Sequence, residues 1–284
     1  MTNAPSSLLL ARIASLLLLV PPAALSLSTL APPKPTAVAK PTTAAPARMS
    51  DQIILTWEPE AANDIREKAT IQCQNSNRPY VVGIVGIPGS GKTTGAHVVQ
   101  ELLGDDCVVI PMDGYHYSRA KLRSLFSEKD PDDALYRRGA PDTFDAASFA
   151  RDLARLRVPN NAAPCWFPGF DHGVADPQPD QYCFNAPQHQ ICIAEGLYLL
   201  HDQDGWEALA NGDLFDYTIF VDANVDTCMD RLKVRNQKIP GYTAEEIAVR
   251  VDAVDRVNAM TVLATKPRAD RVVMAPSFAP KVGV

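Results

Sequence analysis

Val81-Val82-Gly83-Ile84-Val85-Gly86-Ile87-Pro88-Gly89-Ser90-Gly91-Lys92-Thr93-Thr94 (VVGIVGIPGSGKTT) joins an apolar run to a glycine-rich turn, and a helical pattern continues from Gly91 to Leu103. The apolar run is short and rich in Val and Ile, which predicts a strand buried on both faces. Gly86–Thr93 fits the spacing G-x-x-x-x-G-K-T between a strand and a helix, the context that gives this pattern its meaning. Glycines let the backbone curl until successive N–H groups converge on phosphate oxygens, and the helix N-terminus adds its positive end. Lys92 is placed to neutralise outer phosphates, and the Thr93 hydroxyl to join a magnesium shell. Gly86, Gly89, Ser90, Gly91, Lys92, Thr93 and Thr94 are therefore the expected nucleotide-binding residues, with ATP and Mg2+ as the expected ligands.

Working outward, further apolar runs alternate with helical patterns. Strands are predicted at Pro79–Gly86, Cys107–Met112, Ile191–Ala194, Tyr217–Val221 and Arg271–Met274. Helices are predicted over Asp51–Cys73 (after an extended start), Asp145–Leu156, Val225–Val234 and Ala244–Leu263. This alternation implies an α/β fold with a mainly parallel sheet covered on both faces, with ligands at the carboxyl ends of its strands. One such end is Met112-Asp113-Gly114-Tyr115-His116, where Asp113 is placed to take a proton from a hydroxyl attacking phosphorus. Another is Ile193-Ala194-Glu195-Gly196, where Glu195 is the expected second magnesium anchor beside Thr93. Arg231 and Arg235 lie four apart on one face of a predicted helix, with Lys233 and Lys238 near and Pro240-Gly241 to end it.

The chain has 284 residues and a formal charge of −6, so no general basic field draws it to nucleic acid. Residues 1–50 hold Arg12, Lys34, Lys40 and Arg48 and no acid. Their apolar run near Ile13–Val20 is far shorter than the roughly 20 residues of a bilayer span, so no stable membrane span is expected. Residues 1–50 read as a targeting or disordered segment, with a plastid favoured and a mitochondrion as the alternative. Residues 51–284 read as the catalytic domain, with a homodimer left open. The six cysteines form no CxxC pair, and Cys165 and Cys183, which flank one loop, are either a redox pair or two inert thiols.

The phosphate loop, MDGYH (112–116), RRGAPDTFD (137–145), FPGFDH (167–172), AEGLYLL (194–200) and FVDA (220–223) occur in this order. Together they resemble the phosphoribulokinase/uridine kinase family of P-loop kinases, over about Pro79 to Val273. The resemblance is closest to a branch that includes fructose-transport-system-kinase-like proteins, and bacterial-type pantothenate kinase is related. It implies a P-loop NTPase three-layer sandwich with a substrate-covering hairpin and a helical lid. It makes Asp113 the base, with Lys92, Arg231 and Arg235 as its catalytic companions. PDTFD places Asp142 and Phe144 near an acceptor hydroxyl, while Asp145 reads as a helix cap. Tyr115 and His116 beside the base, Arg138 as an anion contact or a solvated charge, and Asp171 and His172 in the hairpin complete the expected substrate set. The hairpin stretch lacks the arginine that uridine kinases carry, which weakens uridine as acceptor. The expected function is transfer of the ATP γ-phosphate to a hydroxyl of a small-molecule partner. The alternatives are a nucleotide-regulated ATPase or binding protein with no acceptor, and uridine kinase specifically.

Overall fold

The structure is a computed structural model that describes residues 56–276 except 129, 162, 172, 187 and 238–241. The expected targeting segment, His172, Lys238 and the Pro240-Gly241 stop therefore lie outside the described residues.

Strand β1 (Tyr80–Gly86) is buried at all seven positions, as its unbroken apolar sequence requires. It pairs in parallel with β5 (Ile191–Gly196) on one side and β6 (Tyr217–Asp222) on the other. β2 (Cys107–Pro111) adds outside β5 and β7 (Arg271–Met274) outside β6, both parallel. The sheet order is thus β2-β5-β1-β6-β7. The chain leaves β1 at the centre while its neighbours go opposite ways, which opens a crevice at the carboxyl end of β1.

The pleat sends alternate residues of β1 to different cores. Val81 and Val85 face a core built with Phe149, Phe220 and Met229, whereas Val82 and Ile84 face one built with Ile65, Ala96 and Val99. The second core is covered by α1 (Glu58–Ser76) and α2 (Lys92–Leu103), and the first by α5 (Ala146–Ala154) and α7 (Val225–Asn236) among others. This confirms the three-layer α/β fold.

Asp216 locks the base of β6 to β1. Its carboxylate accepts from the Val81 N–H at 2.9 Å and from both Arg78 Nη atoms at 2.8 and 2.9 Å, while its own N–H donates to Val81 O at 2.7 Å. Burial opposes the charge, but these hydrogen bonds outweigh it and hold the carboxyl below its ordinary range.

Three short helices were not anticipated: α3 (Arg119–Leu125), α4 (Pro131–Tyr136) and α6 (Glu207–Asn211). Each has seven residues or fewer, too short for a helical period to stand out. The helix expected over Ala244–Leu263 is α8 (Ala244–Arg250), a π-turn (Val251–Asp255) and α9 (Arg256–Ala264). Pro164–Pro187 holds an antiparallel hairpin of β3 (Cys165–Asp171) and β4 (Asp176–Phe184). Cys183 stands opposite Trp166 while Cys165 stands opposite Phe184, so the two thiols sit at non-opposed positions of the ribbon and are free. Among the described residues no helix is long and apolar enough to cross a membrane.

Gly95 marks where α2 meets the residue that opens α1. A Cβ there would lie 2.3 Å from Trp57 Cζ2. Gly95→Val is expected to lower stability by about 1–3 kcal/mol through overpacking. For a domain of this size that is roughly 2–10 °C in Tm by thermal unfolding, and Trp57→Phe in the same background should recover part of the loss.

Candidate active site

The phosphate loop has the shape its glycines predict. Gly89 and Gly91 hold φ of +81° and +89°, in the left-handed region that favours glycine. A Cβ at Gly89 would also lie 2.8 Å from Cys228 O, so α7 passes directly behind the loop. At Gly86 a Cβ would meet Ser90 Oγ at 2.7 Å. The chain turns at Ile87–Ser90 through an N–H to O bond of 3.1 Å and enters α2 through Gly95 N–H to Gly91 O at 2.9 Å.

Ser90 is buried, yet its Oγ has no hydrogen-bond partner within the protein. An orphaned hydroxyl inside a curled loop at a helix N-terminus is what a phosphate oxygen would satisfy. The residues present therefore fit a nucleoside triphosphate. The loop amides, Ser90 and Lys92 would hold its phosphates, with Thr94 one residue beyond the motif on α2.

The two expected metal anchors, Thr93 and Glu195, meet as the strand register demands. Glu195 pairs with Ile84 of β1 and Pro111 of β2, so it stands at the shared carboxyl end of three strands. Thr93 Oγ1 donates to Glu195 Oε2 at 3.2 Å. Burial pushes the Glu195 carboxyl above its ordinary range; Lys92 and the Thr93 hydroxyl oppose this, and Asp113 adds to it. Among the described residues no three His, Cys, Asp or Glu side chains gather as a metal site. A Thr–Glu pair suits magnesium, which keeps several waters and binds through one or two protein groups plus phosphate oxygens.

Asp113 lies in a single 3-10 turn, Met112–Tyr115, directly after β2. It follows two residues after Pro111, the register partner of Glu195, and Glu195 in turn bonds Thr93, the neighbour of Lys92, so the three side chains come from adjoining strand and helix ends. The Asp113 charge is felt at Tyr182 of β4, whose phenol is pushed up by burial first and then by Glu195 and Asp113. The hairpin is pressed onto this turn: a Cβ at Gly114 would lie 2.2 Å from Pro168 O. His116 Nδ1 lies 2.9 Å from Asp113 O, and its ring packs 3.9 Å from Phe144 and 4.9 Å from Phe170 between centroids.

Several expected substrate contacts have other partners here. Tyr115 is buried, stacks on Phe149 at 4.4 Å and donates its hydroxyl to Asp152 Oδ2 at 3.0 Å, so it belongs to the core. Phe144 is buried with its edge toward Tyr198 and Trp206. Asp142 accepts two hydrogen bonds from Arg137 at 2.9 and 3.1 Å. Asp171 Oδ1 accepts from the Gly173 and Val174 N–H groups and shapes the hairpin turn. Asp145 does cap α5, accepting from Ser148 N–H at 2.9 Å.

Arg138 departs furthest from expectation. It clamps the hairpin turn, donating to Ala175 O and to Asp176 Oδ1 at 2.9 Å, and ties it to Tyr117 O at 2.7 Å, while its Nε is buried with no hydrogen-bond partner in the protein. Its own carbonyl accepts from Arg250 Nη2 at 3.0 Å. Arg250 also pairs with the half-buried Asp255 of the π-turn at 3.5 Å. Neither Arg250 nor Asp255 was singled out in the sequence; the π-turn that aims them inward leaves no signature in apolar spacing.

The two arginines of α7 divide. Arg231 Nη1 donates to Gly89 O at 3.4 Å, which places it at the phosphate loop. Arg235 is exposed, donates to Asn236 Oδ1 at 3.3 Å and lies within charge range of Asp255.

Comparison with known proteins agrees with this geometry. The model of the Phosphoribulokinase / Uridine kinase family matches residues 81–276. The ATP-dependent kinase-like protein notR' of Aspergillus versicolor is 38% identical over 152 residues, covering 52% of this chain and 84% of its own. A crystal structure from Silicibacter sp. TM1040 described as a fructose transport system kinase superposes with a TM-score of 0.62 at 26% identity, covering 75% of this chain and 98% of that one. YFH7 from Saccharomyces cerevisiae superposes with a TM-score of 0.65 at 21% identity, covering 78% and 99%, and shares the fold.

A carboxyl whose folded pKa is raised binds its proton more tightly in the folded state, so it costs stability as pH climbs from the unfolded value through the folded one. Glu195→Gln is therefore expected to raise the Tm of the ligand-free protein at neutral pH. The gain should shrink toward zero as pH falls into the ordinary carboxylate range. The same variant should lose the magnesium-dependent part of ATP binding, read by titration calorimetry with and without the metal.

Proposed function

The chain belongs to the phosphoribulokinase/uridine kinase family of P-loop kinases, and from that premise we propose that it transfers the γ-phosphate of ATP to a hydroxyl of a small metabolite, with Asp113 as general base. The observation that carries this reading is the strand-end arrangement: Glu195 level with Ile84 and Pro111 and bonded to Thr93 of the phosphate loop, with Asp113 in the turn that follows Pro111. A switch or a simple ATPase has no need of a carboxylate placed to deprotonate an alcohol.

The chemistry follows from the placement. The acceptor hydroxyl enters between the Asp113 turn and the hairpin. Asp113 accepts its proton as the oxygen forms a bond to the γ-phosphorus. The bond from that phosphorus to the β–γ bridging oxygen breaks, and ADP leaves with the bond's electrons. Lys92 and the N-terminal amides of α2 bear on the outer phosphates, where negative charge is redistributed. Magnesium held by Thr93 and Glu195 would draw off part of that charge.

Arg231 already reaches the loop carbonyl of Gly89 and would turn its guanidinium to the transferring group, with Arg235 following as α7 and its neighbours close. The hairpin and α7 together would exclude water, which otherwise competes with the acceptor. Attached to Arg138 by two hydrogen bonds, the hairpin is held in place before any ligand arrives.

Asp113→Asn keeps the shape of the turn and removes the base. Its kcat for acceptor phosphorylation is expected to fall by about 10²–10⁴, while ATP affinity, measured by calorimetry or a fluorescent nucleotide, stays within a few fold. Full turnover in this variant would remove Asp113 from the base role.

A further inference from the structure

The outer face of α8, the π-turn and α9 carries an apolar stripe. Val249, Val257 and Met260 are 52%, 59% and 58% exposed, and Ala253 and Ala264, exposed as well, fall in line with them. The inner face of the same elements is core, with Ile247, Val251, Ala259 and Val262 buried alongside Phe149 and Phe220. The five outer positions follow one another at four, four, three and four residues, the spacing of a single helix face. Four turns of α-helix take about 14 residues, whereas Val249 to Ala264 takes 15. The wider π-turn absorbs the difference and keeps the stripe straight. A lone exposed valine needs no explanation, but a continuous row of apolar side chains marks a contact surface.

The two ends of the stripe carry opposite charge. Glu245, one turn before Val249, is exposed and has no ion-pair partner among the described residues. Arg268, four residues beyond Ala264, is also exposed. Its guanidinium donates to Asp202, Ala210 O and Asn211, which leaves part of its five-donor fork for a further carboxylate. The neighbouring sequence divides the same way. Residues 243–255 hold Glu245, Glu246, Asp252 and Asp255 against Arg250 alone, while 256–268 hold Arg256, Lys266 and Arg268 and no acid. Arg256 and Lys266 pair with Asp226, Asp252 and Asp222, but such partly exposed ion pairs exchange at little cost.

We infer that two copies of this chain meet along the stripe, antiparallel about a two-fold axis. An axis between Arg256 and Val257 sets one copy's Val249 opposite the other's Ala264, and Ala253 opposite Met260, with both Val257 side chains beside the axis. Each large side chain then faces a small one, as close helix packing needs. The same axis brings Glu245 of each copy to the Arg268 end of the other. A two-fold contact uses one patch twice, so the patch must complement its own reverse. This stripe does so in both size and charge, a match that a second copy requires and a different protein does not. A parallel pairing would set Met260 on Met260 and Glu245 on Glu245 and lose both.

The test is sedimentation velocity on the full chain over a dilution series. A reversible monomer–dimer equilibrium is expected. Met260→Glu should raise the dimer dissociation constant at least about tenfold, equivalent to about 1.4 kcal/mol, with circular dichroism and thermal unfolding showing that the variant is folded. Glu245→Arg and Arg268→Glu should each weaken the dimer by several fold, and the two together in one chain should restore it, because the end pairs then form with their signs exchanged. A folding defect does not produce that recovery, so the charge series decides the matter even where Met260→Glu is unstable. A monomer at every concentration overturns the inference, whether the stripe is then bare, covered by residues 1–55 or 277–284, or kept for a different protein. A dimer indifferent to all these substitutions lies on another surface and overturns it equally. Weakening by either charge reversal without recovery in the double variant overturns the antiparallel pairing.

Discussion

The hydrogen bond from Thr93 Oγ1 to Glu195 Oε2 joins the helix that follows the phosphate loop to the end of β5. Glu195 is a buried carboxylate whose burial resists its charge, and its compensation comes from Thr93 and Lys92. Both compensating groups follow the loop, so the loop must curl as it does for the carboxylate to be tolerated. The loop curls because Gly89 and Gly91 take left-handed backbone and because α7 closes the space behind Gly89. Strand register does the rest. With Glu195 level with Ile84 and Pro111, Asp113 emerges two residues beyond Pro111 at the mouth of the same crevice.

The hairpin side of the crevice is built on a different principle. It is a two-stranded ribbon outside the main sheet, tied down by Arg138, whose side chain holds the hairpin turn and whose carbonyl holds Arg250. Arg250 in turn faces Asp255, pushed up by burial against the pull of Arg250 and Arg235. The hairpin, the 137–142 segment and the helices that follow α7 thus share one chain of charged contacts. The π-turn gives this chain its geometry, since one extra residue in a turn rotates Asp255 inward between α8 and α9.

The sheet and the phosphate half were legible in the sequence for a plain reason. A strand buried on both faces must be continuously apolar, and a loop that wraps phosphate must place glycine where φ is positive; both leave marks in adjacent residues. Asp113 and Glu195 are singled out by their positions at strand ends, and Lys92 by the loop motif. The acceptor half was less legible because its logic is pairwise and long-range. Nothing local reveals that Arg138 reaches across to Asp176, 38 residues on. Tyr115 and Phe144 looked like substrate contacts because they neighbour functional residues, yet adjacent residues point in opposite directions and these two rings turn into the core.

The same contrast bears on how such a protein acquires its selectivity. The donor half leaves little freedom, because Gly86, Gly89, Ser90 and Glu195 are each fixed by a contact under about 3.2 Å or by burial. The acceptor half has a cheaper variable in the choice of partner for each arginine. An arginine on the 137–142 segment selects anions if its neighbours are neutral, and serves as a structural rivet if an aspartate stands opposite. Here Asp133, Asp142 and Asp176 have made rivets of Arg137 and Arg138. The contacts that occupy these guanidinium groups are also the ones that hold the hairpin turn beside the Asp113 turn, so freeing Arg138 for another partner would loosen the hairpin as well.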